Sequence, residues 1–234
     1  MAASARWWPI AATVLALVAI NVTTNRLLPA EAYVPFALAC AAGLVAFAHR
    51  VDGCGWDELG LDPANVGRGL RWGGAVVAAV ALGYLVVAAV PATRDVLLDD
   101  RVEDLSLAGA AWAALVRVPL GTVVLEEVAF RGVLVAQLRR WTSVAVAVAT
   151  SAVLFGLWHV LPALGVSNVN PVADDAVGDL PTVVTVGASV AFTAVAGVWF
   201  WWLRDRSRSL VAPMLAHWST NGLGYLFAWW AWNR

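Results

Sequence analysis

Apolar residues in this chain come in long runs separated by short polar stretches, without the one-sided spacing of a helix on a soluble core. Runs near twenty residues are long enough to cross the ~30 Å hydrocarbon layer of a bilayer as helices. Seven are read, at 7–24, 32–48, 72–92, 118–138, 143–162, 181–203 and 210–232. Residues 105–117 form a further apolar segment, set off from the fourth span by Arg117 and Pro119. It is either a surface helix or part of an eighth crossing. The pattern predicts an all-α, multi-pass transmembrane helical bundle forming one integral membrane domain over 1–234, with its chemistry concentrated in about 105–232. Arg6 precedes the first run, and Ala30-Glu31-Ala32 has the small-residue look of a cleavage site. It stands too far beyond the run for the usual cleavage geometry, so an uncleaved first helix is expected.

Composition agrees. Hydrophobic residues make up 61% of the 234 and charged ones 13%, against about half and about a quarter in an ordinary soluble domain. Mean hydropathy is +0.75. These values exclude a disordered chain and a water-soluble single-core domain. Net charge is -1, and all 15 basic residues are arginine. Such a chain lacks the basic stripe that nucleic acid requires, so no nucleic-acid partner is expected. Cys40 and Cys54 give neither a metal-binding spacing nor a disulfide framework. Many of the 14 tryptophans stand at span ends, Trp7, Trp8, Trp72, Trp141 and Trp229 among them, where amphipathic rings suit the headgroup level. His49, beside Arg50, reads as interfacial.

Seven spans put Arg6, Arg50, Arg68, Arg71, Arg139, Arg140, Arg204, Arg206 and Arg208 on one side and Arg26, Arg94, Arg101 and Arg234 on the other. The second side also carries Asp95, Asp99, Asp100, Glu103, Asp104, Asp174, Asp175 and Asp179. The positive-inside bias predicts a cell-membrane protein with a cytoplasmic N-terminus.

Function is sought where polar groups interrupt apolar spans, because an ionised side chain at mid-bilayer costs roughly 3 kcal/mol unless paired or wet. The fourth span holds Glu126, Glu127 and Arg131. Glu127 and Arg131 are four apart and share a helix face, so they can pair; Glu126 points about 100° away and is left for proton work. Near the end of the fifth span stands Phe155-Gly156-Leu157-Trp158-His159, with Phe155 one turn before His159 and able to wall one side of its ring. The seventh span carries His217 and Asn221, four apart and on one face. Pro213, a turn earlier, is expected to kink that helix or open its backbone. A structural ion cluster or an interhelical hydrogen bond would account for any one of these sites; three together favour chemistry.

A carboxylate, two imidazoles and an amide suit hydrolysis of a peptide bond, which needs an activated water and a stabilised tetrahedral oxyanion. In this reading Glu126 and His159 hold and deprotonate the water, His217 and Asn221 face the scissile carbonyl, and Arg131 fixes Glu127. A metal version stays open, with Glu126, His159 and His217 as Zn²⁺ ligands leaving a position for water. The H-E-x-x-H helix of common zinc peptidases is absent. Two other readings share the pattern: a non-catalytic membrane scaffold or immunity protein that binds a peptide, and a proton-coupled transporter with a Glu/His relay. No inverted repeat or paired broken helices support the transporter.

Glu126-Glu127-x-x-x-Arg131, Phe155-x-x-x-His159 and His217-x-x-x-Asn221, in this order and each in an apolar span, resemble the three signature motifs of the CAAX protease and bacteriocin-processing family, intramembrane proteases similar to the type II CAAX prenyl endopeptidase. The segment Asp57–Arg71, with Trp56-Asp57-Glu58-Leu59-Gly60-Leu61 at its start, resembles the amphipathic stretch preceding that family's motif-bearing half. The resemblance implies an endopeptidase acting on membrane-associated proteins or peptides. It implies Glu126 and His159 as the water-activating pair, His217 and Asn221 as the oxyanion pair, and Glu127 and Arg131 in support. Members are called metalloproteases, and a glutamate-based mechanism without catalytic metal has also been argued for them. Residues 1–104 carry little of the resemblance.

Overall fold

The structure, a computed structural model, describes residues 7–164 and 180–234. Arg6, Asp174, Asp175 and Asp179 lie outside the described residues. The helices are α1 (Trp8–Arg26), α2 (Tyr33–Arg50), α3 (Val66–Ala89), α4 (Leu107–Leu138), α5 (Val144–Trp158), the single turn α6 (Val160–Ala163), α7 (Thr182–Ser207) and α8 (Val211–Trp232). No strand occurs among the described residues. Six helical stretches are long and apolar enough to cross a membrane: α1, Ala30–Arg50, Pro63–Ala89, α4, Val144–Ala163 and α7. The 22-residue α8 has the length but not the mean hydropathy, because it carries His217, Ser219, Thr220 and Asn221. The chain is a multi-pass helical membrane protein.

Local sequence sets the helix boundaries. Ser106 and Ser143 start α4 and α5 by accepting the N–H groups of Gly109 and Val146, satisfying donors that the first turn leaves free. Asp62 accepts from Ala64 N–H just ahead of α3. α7 ends on Arg208 with φ 55°, a left-handed stop.

Two expectations are corrected. The 105–117 segment is neither a surface helix nor an eighth crossing; it is the first part of α4, which runs unbroken through Arg117 and Pro119. Its hydrogen bonding widens to the π pattern over Ala113–Val123 and again over Glu127–Leu134. The wider turn leaves room for the proline ring that would break a regular α-helix. Pro213 does not kink α8; it is the third residue of that helix, where an N–H has no intrahelical acceptor anyway. Within the Asp57–Arg71 stretch, turns fold residues 56–65 under the bundle and α3 begins at Val66.

α4 is the axis of the fold. Every residue from Leu125 to Leu138 is buried, and a helix covered on all sides belongs at the centre of a bundle. α2, α5 and α8 surround it, α3 lies outside α8, and α7 lies outside α5. Small residues bring the outer pairs close, as between helices in lipid. A Cβ on Gly156 would meet the Val190 carbonyl at 2.5 Å, and one on Gly73 would meet Leu215 at 2.8 Å.

The two ends of the bundle differ. At one end the 51–65 connection is docked: Leu59 is buried, Arg140 donates to the carbonyls of Asp52 and Gly53, and Arg204 donates to those of Asp57 and Glu58. Leu210 N–H donates to the Gly60 carbonyl at 2.8 Å. At the other end Trp229 and Trp232 donate to the carbonyls of Leu105 and Asp99, and Arg234 pairs with Asp95.

Candidate active site

The site forms where α4, α5 and α8 meet. Glu126 and Glu127 are consecutive on α4 and diverge by one helical step, as their spacing requires. Glu127 is fully buried, and its Oε1 lies 3.2 Å from Arg131 one turn on. The same oxygen accepts from His217 Nδ1 at 2.8 Å. Arg131 is wedged between two rings, its guanidinium carbon 3.8 Å from the Phe155 centroid and 5.0 Å from that of Phe200. Cation–π contact supplies what a single carboxylate leaves unmet in this dry setting. Phe200 also stacks on His217, centroids 5.0 Å apart.

Glu126 faces elsewhere. Its Oε1 accepts from Trp158 Nε1 at 3.0 Å. Its Oε2 is buried without a hydrogen-bond partner from the protein, 3.9 Å from His217 Nε2. His159 occupies the break between α5 and α6, with backbone φ -84° and ψ 0°, the sparsely used bridge region. Its Nδ1 bonds the Phe155 carbonyl at 2.8 Å. A carbonyl can only accept, so Nδ1 carries the proton, and Nε2 of the neutral ring is left as an acceptor. Phe155 separates the two imidazoles, 4.6 Å from His159 and 6.3 Å from His217 between ring centroids.

A cavity of about 740 Å³ opens beside this cluster. Glu126, Trp158, His159 and Asn221 line it, together with Tyr33 and Thr122. The Tyr33 and Thr122 hydroxyls share a 2.8 Å hydrogen bond. The Thr220 hydroxyl lies 3.2 Å from Asn221 Oδ1, an arrangement that leaves the Asn221 NH₂ for the cavity.

The structure thus brings together the residues singled out from the sequence, with one change of neighbour. His217 contacts both carboxylates and is buried where Asn221 is exposed, whereas His159 and Glu126 line the same cavity. Three partners were missed. Trp158 stands inside the second motif, but nothing in its spacing aims its indole at residue 126. Asn21 of α1 donates to the Trp158 carbonyl at 2.9 Å and pins the end of α5. Phe200 of α7 covers His217. Asn21, a polar residue on an apolar helix, was the signal available for the second.

The Zn²⁺ set of Glu126, His159 and His217 can be judged against this geometry. Engagement of both Nδ1 atoms leaves the two Nε2 atoms as the available donors, but among the described residues no three His, Cys, Asp or Glu side chains are grouped to hold an ion. The donors as arranged do not fit a metal, and no step below is routed through one.

A family model described as type II CAAX prenyl endopeptidase Rce1-like matches residues 108–223, which include all three motifs. No curated protein and no solved structure matches the chain. The matched stretch covers the helices that build the carboxylate–imidazole cluster, and through it the chain belongs to the CAAX protease and bacteriocin-processing family of type II CAAX prenyl endopeptidase-like membrane proteins.

Proposed function

We propose that this protein is an intramembrane endopeptidase that hydrolyses peptide bonds in membrane-associated proteins or peptides, with Glu126 as the general base. One observation carries the reading: a buried carboxylate, held by Trp158 through one oxygen and unpartnered at the other, on the wall of a cavity that also presents an imidazole and a carboxamide. Glu127 also has one buried oxygen without a hydrogen-bond partner, but it does not line the cavity, so the place on the cavity wall singles out Glu126.

Glu126 Oε2 and His159 Nε2 are both acceptors, so together they take the two protons of one water and aim its lone pair at a carbonyl in the cavity. Glu126 removes a proton as the water attacks. The oxyanion then faces the Asn221 NH₂ and the His217 Nε2–H. The latter requires His217 to hold two protons. Glu126, Glu127, Arg131 and His217 then sum to zero charge, the arrangement least costly in a dry interior. Collapse breaks the C–N bond, and Glu126 returns its proton to the leaving amine.

Glu126→Gln is expected to lower cleavage by about 10³-fold, in the range of a lost general base, with thermal unfolding in detergent unchanged. Retained turnover would refute the assignment. The same assay run with a chelator tests the metal question separately: activity is expected to persist, and a loss reversed by added Zn²⁺ would restore the ligand set read from the sequence.

A further inference from the structure

The cavity opens at one end of the bundle, and most of the arginines lie at the other. Outward from Glu126 and Asn221 the cavity wall passes Tyr84 and reaches Asn25 at the end of α1, Leu28 in the first connection and Asp99 in the third. The helix-end contacts place the C-terminus here too, through Trp232 on Asp99 and Arg234 on Asp95. Arg26, Arg94, Arg101 and Arg234 lie at this end, and Arg117 of α4 lines the cavity. Arg101 is paired with Asp99 and Arg234 with Asp95, while Asp100, Glu103 and Asp104 are exposed.

Behind the site the bundle is shut. Residues Phe130 to Leu138 are buried, and the docked 51–65 connection lies beyond them. Arg50, Arg68, Arg71, Arg139, Arg140, Arg204, Arg206 and Arg208 belong to this end. Arg68, Arg71 and Arg206 line one surface hollow there, and the Trp7–Trp141 ring contact at 5.5 Å brings the start of α1 to it. Arginine near span ends is retained on the cytoplasmic side. Among the described residues the closed end carries eight arginines, against four at the mouth and Arg117 on the cavity wall.

Resting on the peptidase reading for what is cleaved, we infer that the active-site cavity opens on the extracytoplasmic face, so that its substrates are exported polypeptides or the extracytoplasmic segments of membrane-anchored proteins. A cytoplasmic peptide has no entry through the closed end. Substrate approaches between the first and third connections and descends to Glu126.

The test is thiol accessibility in intact cells, using the full chain and a membrane-impermeant maleimide. The native cysteines serve as a blank. Burial pushes the Cys54 thiol up to about 11, and Cys40 lies within α2. Asp100→Cys and Glu103→Cys at the mouth are expected to label in intact cells as fully as in permeabilised ones. Asp205→Cys at the closed end is expected to label only after permeabilisation. The reverse pattern, or equal labelling of both ends in intact cells, overturns the inference. A second measurement ties it to function: a membrane-anchored reporter carries the same cleavable segment on either side of the bilayer, against Glu126→Gln as control. Cleavage confined to the extracytoplasmic arrangement supports the inference, and cleavage confined to the cytoplasmic one overturns it. Cleavage in neither, with mouth labelling as expected, sinks the peptidase reading and leaves the side of access established.

Discussion

At the closed end, Arg140 and Arg204 reach across the bundle into backbone carbonyls of the 51–65 connection; at the mouth, each ion pair has one exposed partner at the surface. Arg204 is buried and bonds Asp57 and Glu58 through their main chain. Arg101 at the mouth pairs with Asp99 two residues away, with 55% of its side chain exposed, where such pairs contribute little. Packing follows the same division. α4 is buried on all sides from Leu125 toward the closed end and partly exposed along Leu107–Leu120. An enzyme acting on a bulky chain needs both properties: a stiff support that holds the base, and an opening loose enough to admit substrate. Glu126 stands where one gives way to the other.

If that division is right, the largest loss should come from the stiff side of the site. Arg131→Met removes a buried cation of similar length and leaves Glu127 with only His217. Breaking a buried pair from one side typically costs about 3–5 kcal/mol, so a large drop in the unfolding midpoint in detergent is expected. Adding Glu127→Gln to the same chain should recover much of it. A double variant no better than the single would mean that Arg131 acts through its stacking on Phe155 and Phe200, not its charge.

Next in size is the hydrogen bond that aims the base. Trp158→Phe keeps a ring against Phe130 but deletes the N–H on Glu126 Oε1. A hydrogen bond to a charged group contributes about 1.5–3 kcal/mol. Turnover should therefore fall by roughly ten- to a hundredfold, mostly in kcat, with the unfolding midpoint little changed. A change confined to KM would show that Trp158 shapes the cavity without positioning the carboxylate.

What could be read in advance follows from where each partner lies in the chain. Glu127 with Arg131, Phe155 with His159 and His217 with Asn221 are one helical turn apart, and helix geometry alone brings each pair to one face. The bonds between motifs were different. Trp158 meets Glu126 across 32 positions and His217 meets Glu127 across 90, and no local periodicity encodes either. The closed end was harder still, because Arg140 and Arg204 bind main-chain carbonyls, which every residue has. The eighth-crossing alternative arose from reading Pro119 as a breaker, a rule that fails where a helix widens to the π pattern. Seven runs of apolar residues did predict the bundle, since span length is set by the bilayer and not by the neighbours.

A smaller effect separates the docked connection from the mouth. Gly60 has φ 73°, and a Cβ there would lie 3.1 Å from Arg204 Nε and 3.2 Å from Leu210 Cγ. Gly60→Ala combines left-handed strain with crowding against the clamp and should cost about 1–2 kcal/mol. Asp100→Ala, on an exposed turn at the mouth, should fall within about 0.5 kcal/mol of the parent. Equal midpoints for the two variants would remove the distinction between the ends.

The least effect is a pH dependence of the clamp. Burial alone would raise the Glu58 carboxyl, but the Gly55 N–H at 2.7 Å and Arg140 at 2.9 Å outweigh it and hold Glu58 below the usual carboxylate range. A folded value below the unfolded one means that this stabilisation is complete above the unfolded pKa of about 4.3 and is lost as pH falls through the lower folded value. Glu58 is 40% exposed, so solvent screening limits the contribution to a fraction of about 1 kcal/mol. Glu58→Gln should therefore lower the unfolding midpoint slightly at neutral pH, and the gap from the parent should close below about pH 4 as the parent's own carboxylate is protonated. A gap that stayed constant across that range would show that Glu58 holds the connection by shape, with the Arg140 contacts to the Asp52 and Gly53 carbonyls supplying the clamp.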